Sequence, residues 1–485
     1  MSGPEHPLPA GWAVELDAHA ARFDGGRTLV GGFPLRVLRF TDAGRRWLDR
    51  VAAPGGAVPE GAAARRLARR LVDGGLAVPR PAPPSTHGPG DVAVVVPVRD
   101  DAEGLAATLA SIGPVGGDDG VGEVIVVDDG SRTPVARDAI AGVRVLRHGA
   151  SRGPAAARNT GWRATTRPVV AFVDADVVLP EGWLPALLAH LDDPATAAVA
   201  PRIRASAGRA PGWLAAYEAH RFPLDLGPLP SPVRPAARVS YVPTAAVLVR
   251  RAALEAVGGF DEALRLGEDV DLVWRLAGAG HGVRYEPDVE ARHPSRPTLP
   301  AALRQRFRYG TSTSPLAARH GRAGAPLGIS GWSALAWGAL LLGRPRLGLA
   351  VAAGTTAALV PKLQGLDEPV RASVALAGKG HLHAGRAVAD ALRRPWWPLA
   401  ALVGALVPRS RPALVAAAVV PPLLEWRRVR PALDPARWVA LRLADDVAYG
   451  AGVWAGCWRA RSAAALAPRF AGPVPPPQAP APTPA

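Results

Sequence analysis

The chain has 485 residues, too many for one compact core, so two or three structural units are expected. Apolar residues make up 48% and charged residues 20%, which excludes a chain disordered throughout. The net charge of +16 is carried unevenly: residues 1–299 balance 34 basic against 34 acidic side chains, while residues 300–485 hold 23 basic and 7 acidic.

That basic excess coincides with the most apolar part of the chain, which favours anionic lipid over nucleic acid as a partner. No zinc-finger or basic-zipper pattern is present, so no nucleic acid is expected. The one cysteine, Cys457, excludes an internal disulfide and a thiolate-built metal site. The opening residues hold no apolar core of signal-peptide length, which places the catalytic part on the cytoplasmic side of the cell membrane.

In chain order, residues 1–80 form the first unit. Arg27 to Phe40 reads as strand, turn, strand, broken at Gly31-Gly32. Thr41 stands where an N-cap belongs, before a helix with Ala43, Trp47, Leu48 and Val51 on one face. A second helix runs from about Glu60 to Val72, Gly74-Gly75 ends it, and Leu76 to Val78 is a short strand. A sheet edge beside a small helical cluster resembles a winged helix or a PqqD-like peptide-recognition domain; a small packing domain is the plainer reading.

Residues 81–90 are a linker by composition, and residues 91–310 change to short β-branched runs between helical stretches, the pattern of an α/β sheet. Its buried strands are predicted at Val92–Val96, Glu123–Val127, Val143–Leu146, Val169–Val173 and Ala245–Val249. Residues 311–470 are helical, basic and apolar in blocks of 13 to 17 residues, short of the ~20 that a full span needs. Membrane spans, re-entrant or interfacial helices, and an all-helical soluble domain all fit them. Residues 471–485 read as a disordered Pro-rich tail.

Five elements of the α/β unit carry chemistry. VAVVVPVRD ends a buried strand at Pro97, placing Arg99 at the carboxyl edge of the sheet, where open α/β folds bind ligands. VIVVDDGS puts Asp128 and Asp129 at a strand end, either as acceptors for a base and ribose or as the start of a turn. GASRGPAAARNTGW is a glycine-rich loop opening a helix, with Arg158 in its first turns to favour a pyrophosphate. It lacks the dinucleotide fingerprint and the P-loop, which argues against hydride transfer and ATP hydrolysis. VVAFVDADVVLP sends Asp174 and Asp176 out of an apolar strand, a costly placement that a divalent cation would compensate. GGFDEALRLGEDVDLVWRL then sets Glu268 and Asp269 at a helix start, where the helix dipole favours the ionised form that a general base needs.

In this order the five elements resemble the GT-A (nucleotide-diphospho-sugar transferase) fold of family 2 glycosyltransferases. The resemblance implies nucleotide-sugar binding by Pro97, Arg99, Asp128 or Asp129, Arg158 and Asp174, and a Mg²⁺ or Mn²⁺ ion on Asp174 and Asp176. It implies Asp269 as catalytic base beside Glu268, and contacts to acceptor or diphosphate from Asp261, Arg304, Gln305 and Arg308. Gln305 to Tyr309 resembles the Q-x-x-R-W motif of processive members, with Tyr309 in place of tryptophan. Leu8–Gly25, Gly31–Gly44 and Arg308–Gly321 are similar to the mycofactocin-system glycosyltransferases. That likeness implies an inverting, metal-dependent transfer of glucose from a UDP-sugar to a peptide-derived redox-cofactor precursor, with membrane lipid as a further partner. The alternatives are transfer to a lipid carrier or cell-envelope polysaccharide, and a catalytically inactive peptide-binding membrane scaffold.

Overall fold

A computed structural model describes residues 6–82, 84–136, 142–206 and 210–470. The expected Pro-rich tail, 471–485, lies outside the described residues.

The first unit carries strands β1 (Ala13–Leu16), β2 (Ala21–Phe23), β3 (Thr28–Gly31) and β4 (Arg36–Arg39), helices α1 (Asp42–Val51) and α2 (Gly61–Gly74), and strand β5 (Ala77–Arg80). Thr41 caps α1, its side chain accepting from the Gly44 N–H, and Gly75 ends α2 in the left-handed conformation. Leu8, Trp12, Leu29, Leu48, Leu71 and Leu76 close a core of their own. Strands β2, β3 and β4 form a meander with β4 at its edge, while β1 pairs antiparallel with β5. β5 runs through Pro79 and Arg80, two residues further than the sequence suggested. The segment after it is pinned, because Ser85 and Thr86 both donate to Asp192.

This unit is locked to the next by buried charge. Arg69 of α2 donates to both oxygens of Asp193, at 2.8 and 2.5 Å, with both side chains almost fully buried. Burial works against each ion, yet the pairing holds Asp193 below the usual carboxylate range and Arg69 above its ordinary value. Removing Asp193 would leave the buried Arg69 guanidinium only the exposed Asp73, at 3.4 Å, as a charged partner. Asp193→Ala is therefore expected to destabilise the chain by about 3–5 kcal/mol, read from the urea midpoint.

The second unit is built on an eight-stranded sheet: β6 (Val92–Val98), β7 (Glu123–Asp128), β8 (Val143–Arg147), β9 (Val169–Val173), β10 (Thr196–Ser206), β11 (Ser231–Pro232), β12 (Ala246–Arg250) and β13 (Gly282–Pro294). The order is β11-β13-β10-β12-β9-β6-β7-β8, with β6 to β9 parallel and β12 reversed between β9 and β10. Helices α3 (Ala102–Ile112), α4 (Pro154–Arg163), α5 (Trp183–Leu188), α6 (Gly212–Arg221), α7 (Arg251–Val257), α8 (Glu268–Gly278), α9 (Leu299–Thr311) and α10 (Thr313–His320) connect the strands or follow them. Two apolar clusters lie on the sheet, one around Val94, Val126, Leu187 and Leu248, the other around Val95, Ile125, Phe172 and Leu272. Burial on both faces explains why these strands read as continuous apolar runs rather than alternating ones. All five predicted strands are present, and β10 and β13, the two longest, were not anticipated.

The last unit is helical: α11 (Gly331–Leu341), α12 (Pro345–Leu359), α13 (Pro369–Ser373), α14 (Lys379–Arg393), α15 (Trp397–Leu406), α16 (Arg411–Val429) and α17 (Pro435–Ala460). Among the described residues no helix is long and apolar enough to cross a membrane. Of the readings open for these blocks, spans find no support here: the apolar blocks fall in helices too short or too polar, and the longest, α17, carries Arg442, Asp445 and Asp446. α17 packs along α9, where Gly310 sits against the Tyr449 carbonyl. Arg306 of α9 binds Asp445 of α17 and Glu218 of α6, tying this unit to the sheet domain.

Candidate active site

The parallel strands β6, β7 and β9 deliver the sequence-predicted residues to one carboxyl edge. Asp128 is the last residue of β7, Asp174 follows β9, and Arg99 follows β6. Pro97 lies within β6, opposite Val127, and Arg99 is exposed and donates to the Ser151 hydroxyl at 3.1 Å.

The two aspartates of the first pair do not offer free oxygens to a nucleobase. Asp128 is fully buried and accepts from the Ser131 and Val135 N–H groups and from Arg147. Asp129 is bound by the His148 ring, the Ser151 hydroxyl and the N–H groups of Arg152 and Gly153. A carboxylate has about four acceptor positions, and the protein fills those of Asp129 itself. In both, burial disfavours the charge but these hydrogen bonds outweigh it and hold the carboxyl below its ordinary range. Their work here is to shape the glycine-rich loop that opens α4. Gly130 is part of that shape: its φ is +73°, and a Cβ there would stand 2.7 Å from the Ser151 nitrogen.

Arg158 corrects a second expectation. Its guanidinium donates to Asp174 at 2.6 Å and Glu268 at 2.9 Å, is buried, and lies over the Phe260 ring. Both charged contacts are intramolecular, so Arg158 is a brace between the D-A-D segment and the start of α8 rather than an open diphosphate clamp. Burial opposes its charge, yet Asp174 and then Glu268 keep it protonated well above the ordinary arginine range.

Asp176 faces a residue that sequence reading missed. His293 Nε2 lies 3.4 Å from Asp176 Oδ1, brought there because Val178 and Arg292 exchange backbone hydrogen bonds across β13. Burial raises the Asp176 pKa; His293 opposes the rise, the Asp174 charge adds to it, and Arg296 opposes it. Two carboxylates that repel one another at a partly open rim, with a histidine beside them, suit a divalent cation. Among the described residues no cluster of three or more such side chains stands in metal-holding geometry. An ion here would draw its other ligands from phosphate oxygens, as Mg²⁺ commonly does. His293 sits in E-A-R-H-P, 117 positions after Asp176, with no motif spacing to announce it.

Glu268 and Asp269 differ sharply. Glu268 is held by Arg158, whereas the Asp269 carboxylate accepts from the Val270 N–H and stays recessed but reachable. Burial, then the neighbouring Glu268 charge, push Asp269 up to about 7, overriding the helix dipole expected to favour its ionised form. Tyr309 sits within its electrostatic reach: burial and then the Asp269 charge raise the phenol to about 12. Tyr241 is raised by the same two causes. Gln305 donates to the Tyr309 hydroxyl at 3.1 Å, which makes it a support for that ring. Asp261 is paired with Arg319, and Arg304 and Arg308 are exposed on α9. Asp271, in the first turn of α8, is buried between Arg275 and His320.

Comparison with known proteins decides the family. Residues 93–257 match the family described as glycosyl transferase family 2. A pre-mycofactocin glycosyltransferase of Mycobacterium tuberculosis (strain ATCC 25618 / H37Rv) is 41% identical, over 96% of this chain and 98% of that one. The chain belongs to this family. Glycosyltransferase AglE of Haloferax volcanii is 27% identical over 45% of this chain and 71% of its own. Likeness to solved structures is distant: a Pyrobaculum calidifontis mannosyltransferase, solved with GDP-Man and Mn²⁺, is 19% identical with a TM-score of 0.37, covering 69% of this chain and 89% of that one. The sheet that carries these residues is the α/β, GT-A-like core of that family.

Proposed function

We propose that this glycosyltransferase moves a hexose, glucose from UDP-glucose, with inversion onto a peptide-derived mycofactocin precursor, assisted by Mg²⁺ or Mn²⁺. Asp269 takes the proton from an acceptor hydroxyl, and the resulting oxygen attacks the anomeric carbon from the face opposite the diphosphate. Asp174, Asp176 and His293 are the groups that would hold the cation, which neutralises charge on the departing diphosphate. Arg296, close enough to bias both Asp176 and Tyr309, supplies further positive charge at that rim. The observation that carries this reading is the continuous chain from Asp174 through Arg158 to Glu268 and Asp269, which fixes the base relative to the carboxylate pair.

Mass spectrometry of the precursor peptide after incubation with a panel of sugar nucleotides, with Mn²⁺, Mg²⁺ or chelator, tests it. A hexose mass increment that appears with UDP-glucose and disappears with chelator is the expected result. No increment with any sugar nucleotide would end it. Labelled lipid extract in place of peptide would instead support transfer to a lipid carrier, the reading that the exposed apolar helices favour.

The outer strand β4 extends the proposal to the acceptor. Its residues are largely exposed and its far edge is unpaired among the described strands, so a peptide can add there by main-chain hydrogen bonds. Val37→Pro removes a donor from that strand and is expected to weaken precursor binding by about fivefold, at ~1 kcal/mol per hydrogen bond, without changing the use of a simple sugar acceptor. Isothermal titration against the precursor reads it. The point variant is preferable to removing the unit, since removal would strand Asp193 without Arg69.

A further inference from the structure

An apolar cavity lies far from the transfer chemistry in sequence, between α11, α12, α13 and α14. It has a volume of about 610 Å³ and is lined by Trp337, Leu340, Leu349, Val360, Val374 and Leu382 among others. Ligand pockets commonly fall between about 300 and 1,000 Å³, so it is ample for a small molecule or a hydrocarbon chain.

The lining carries no free charge and no free polar group that would ask for a polar ligand. His381 is the one ionisable side chain in it, and both ring nitrogens are taken, by the Ser333 hydroxyl at 3.0 Å and the Thr355 hydroxyl at 2.9 Å. Thr356 donates to the Ala352 carbonyl, Ser373 to the Thr356 carbonyl, and the Trp337 indole to the His381 carbonyl. What remains is hydrocarbon.

The mouth is apolar too, and the helices that form it carry more exposed basic side chains than acidic ones. Leu349 is 71% exposed, Leu382 66% and Val370 61%, a degree of exposure that water disfavours for adjoining large side chains. Arg344, Arg346, Lys362 and Lys379 are exposed on the same four-helix stretch, in the part of the chain that holds the entire charge surplus. A protein or sugar partner would not call for this combination. An anionic phospholipid does, with its headgroup on these basic side chains and an acyl chain in the cavity.

We propose that the α11–α14 cavity seats an acyl chain of an anionic phospholipid and so docks this face on a bilayer surface, with no helix crossing it. Each buried methylene contributes ~0.8 kcal/mol, so a single chain gives reversible binding that the basic side chains reinforce.

The test is co-sedimentation of the full chain with vesicles of phosphatidylcholine alone or of phosphatidylcholine mixed with phosphatidylglycerol. Binding to the mixed vesicles, weakened at least about tenfold by Ala353→Trp, which fills the cavity, is the expected result. Leu349→Asp at the mouth provides a second variant should Ala353→Trp fail to fold, and should weaken binding to the same extent. Phosphatidylglycerol brominated on its acyl chain should quench Trp337, and the Trp337→Phe chain should lose that part of the quenching. Equal binding to both vesicle types, or binding untouched by folded Ala353→Trp and Leu349→Asp, would overturn the proposal. So would a homodimer in solution that Leu349→Asp dissociates, or co-purification of an isoprenoid lipid in the cavity.

Discussion

Replacing Asp269 by asparagine is expected to lower the transfer rate by about 10²–10⁴-fold while leaving sugar-nucleotide affinity nearly unchanged. The amide keeps the size of the side chain and its bond from the Val270 N–H, but it cannot accept the acceptor proton. The Asp269 carboxylate accepts from the Val270 N–H and is not itself a member of the Asp174–Arg158–Glu268 brace, so nucleotide binding should survive. Single-turnover transfer and equilibrium titration of the nucleotide together separate the two effects. Collapse of nucleotide binding would reassign Asp269 to the donor. The same residue fixes the pH profile. A base must be ionised to act, and burial together with Glu268 brings Asp269 to about 7. The kcat/KM for acceptor should therefore rise tenfold per pH unit below about 7 and level off above it. In the Asp269→Asn chain the residual rate should lose that inflection.

The second large effect belongs to Asp176. Asp176→Asn removes a charge that faces His293 and repels Asp174, and with it the anionic site for a cation at the diphosphate. A loss of about 10²–10³-fold in transfer is expected, the range seen when a group stabilising transition-state charge is deleted. The rate should also lose its response to added Mn²⁺. The wild-type chain, stripped by chelator, should fall to a similar level and recover on re-addition. A chelator-insensitive wild type would remove the cation from the mechanism. Fold stability should change little, because Asp176 sits at a partly open rim and is not part of the Arg158 brace.

Much of this was legible in the chain, for identifiable reasons. The five predicted strands are runs such as Val92–Val96 and Val169–Val173, buried on both faces, so hydrophobicity alone marks them. β10 and β13 escaped notice because their residues argue locally against strand. TAAVAPRIRAS is alanine-rich with a proline, and GVRYEPDVEARHP carries charges and Pro287. Their pairing with each other, which sequence does not display, decides their structure. The same blindness hid His293, whose meaning comes from the register that β13 adopts beside the segment after β9. Thr41, Gly75 and the two N-terminal helices were visible because caps are local chemistry. In the site, residue identity was easier to read than residue role. Asp128, Asp129 and Arg158 have the types a nucleotide would want, but their hydrogen bonds are consumed within the protein, and only coordinates reveal where a bond goes. The apolar blocks after residue 311 gave a true signal of exposed hydrophobic surface, while their lengths left spans open, and none of the helices they form among the described residues is long and apolar enough to cross a membrane.

The guanidinium shared by Asp174 and Glu268 has a consequence for the order of events. Were Asp174 to turn towards a bound divalent ion, Arg158 would keep more of its charge for Glu268, and the repulsion that keeps Asp269 protonated would weaken. Loading the donor side would then ready the acceptor side for proton removal. By reciprocity, ionising Asp269 must tighten cation binding by the same factor. Proton removal would then be coupled to donor loading, so that the base is ready when its activated sugar is aboard.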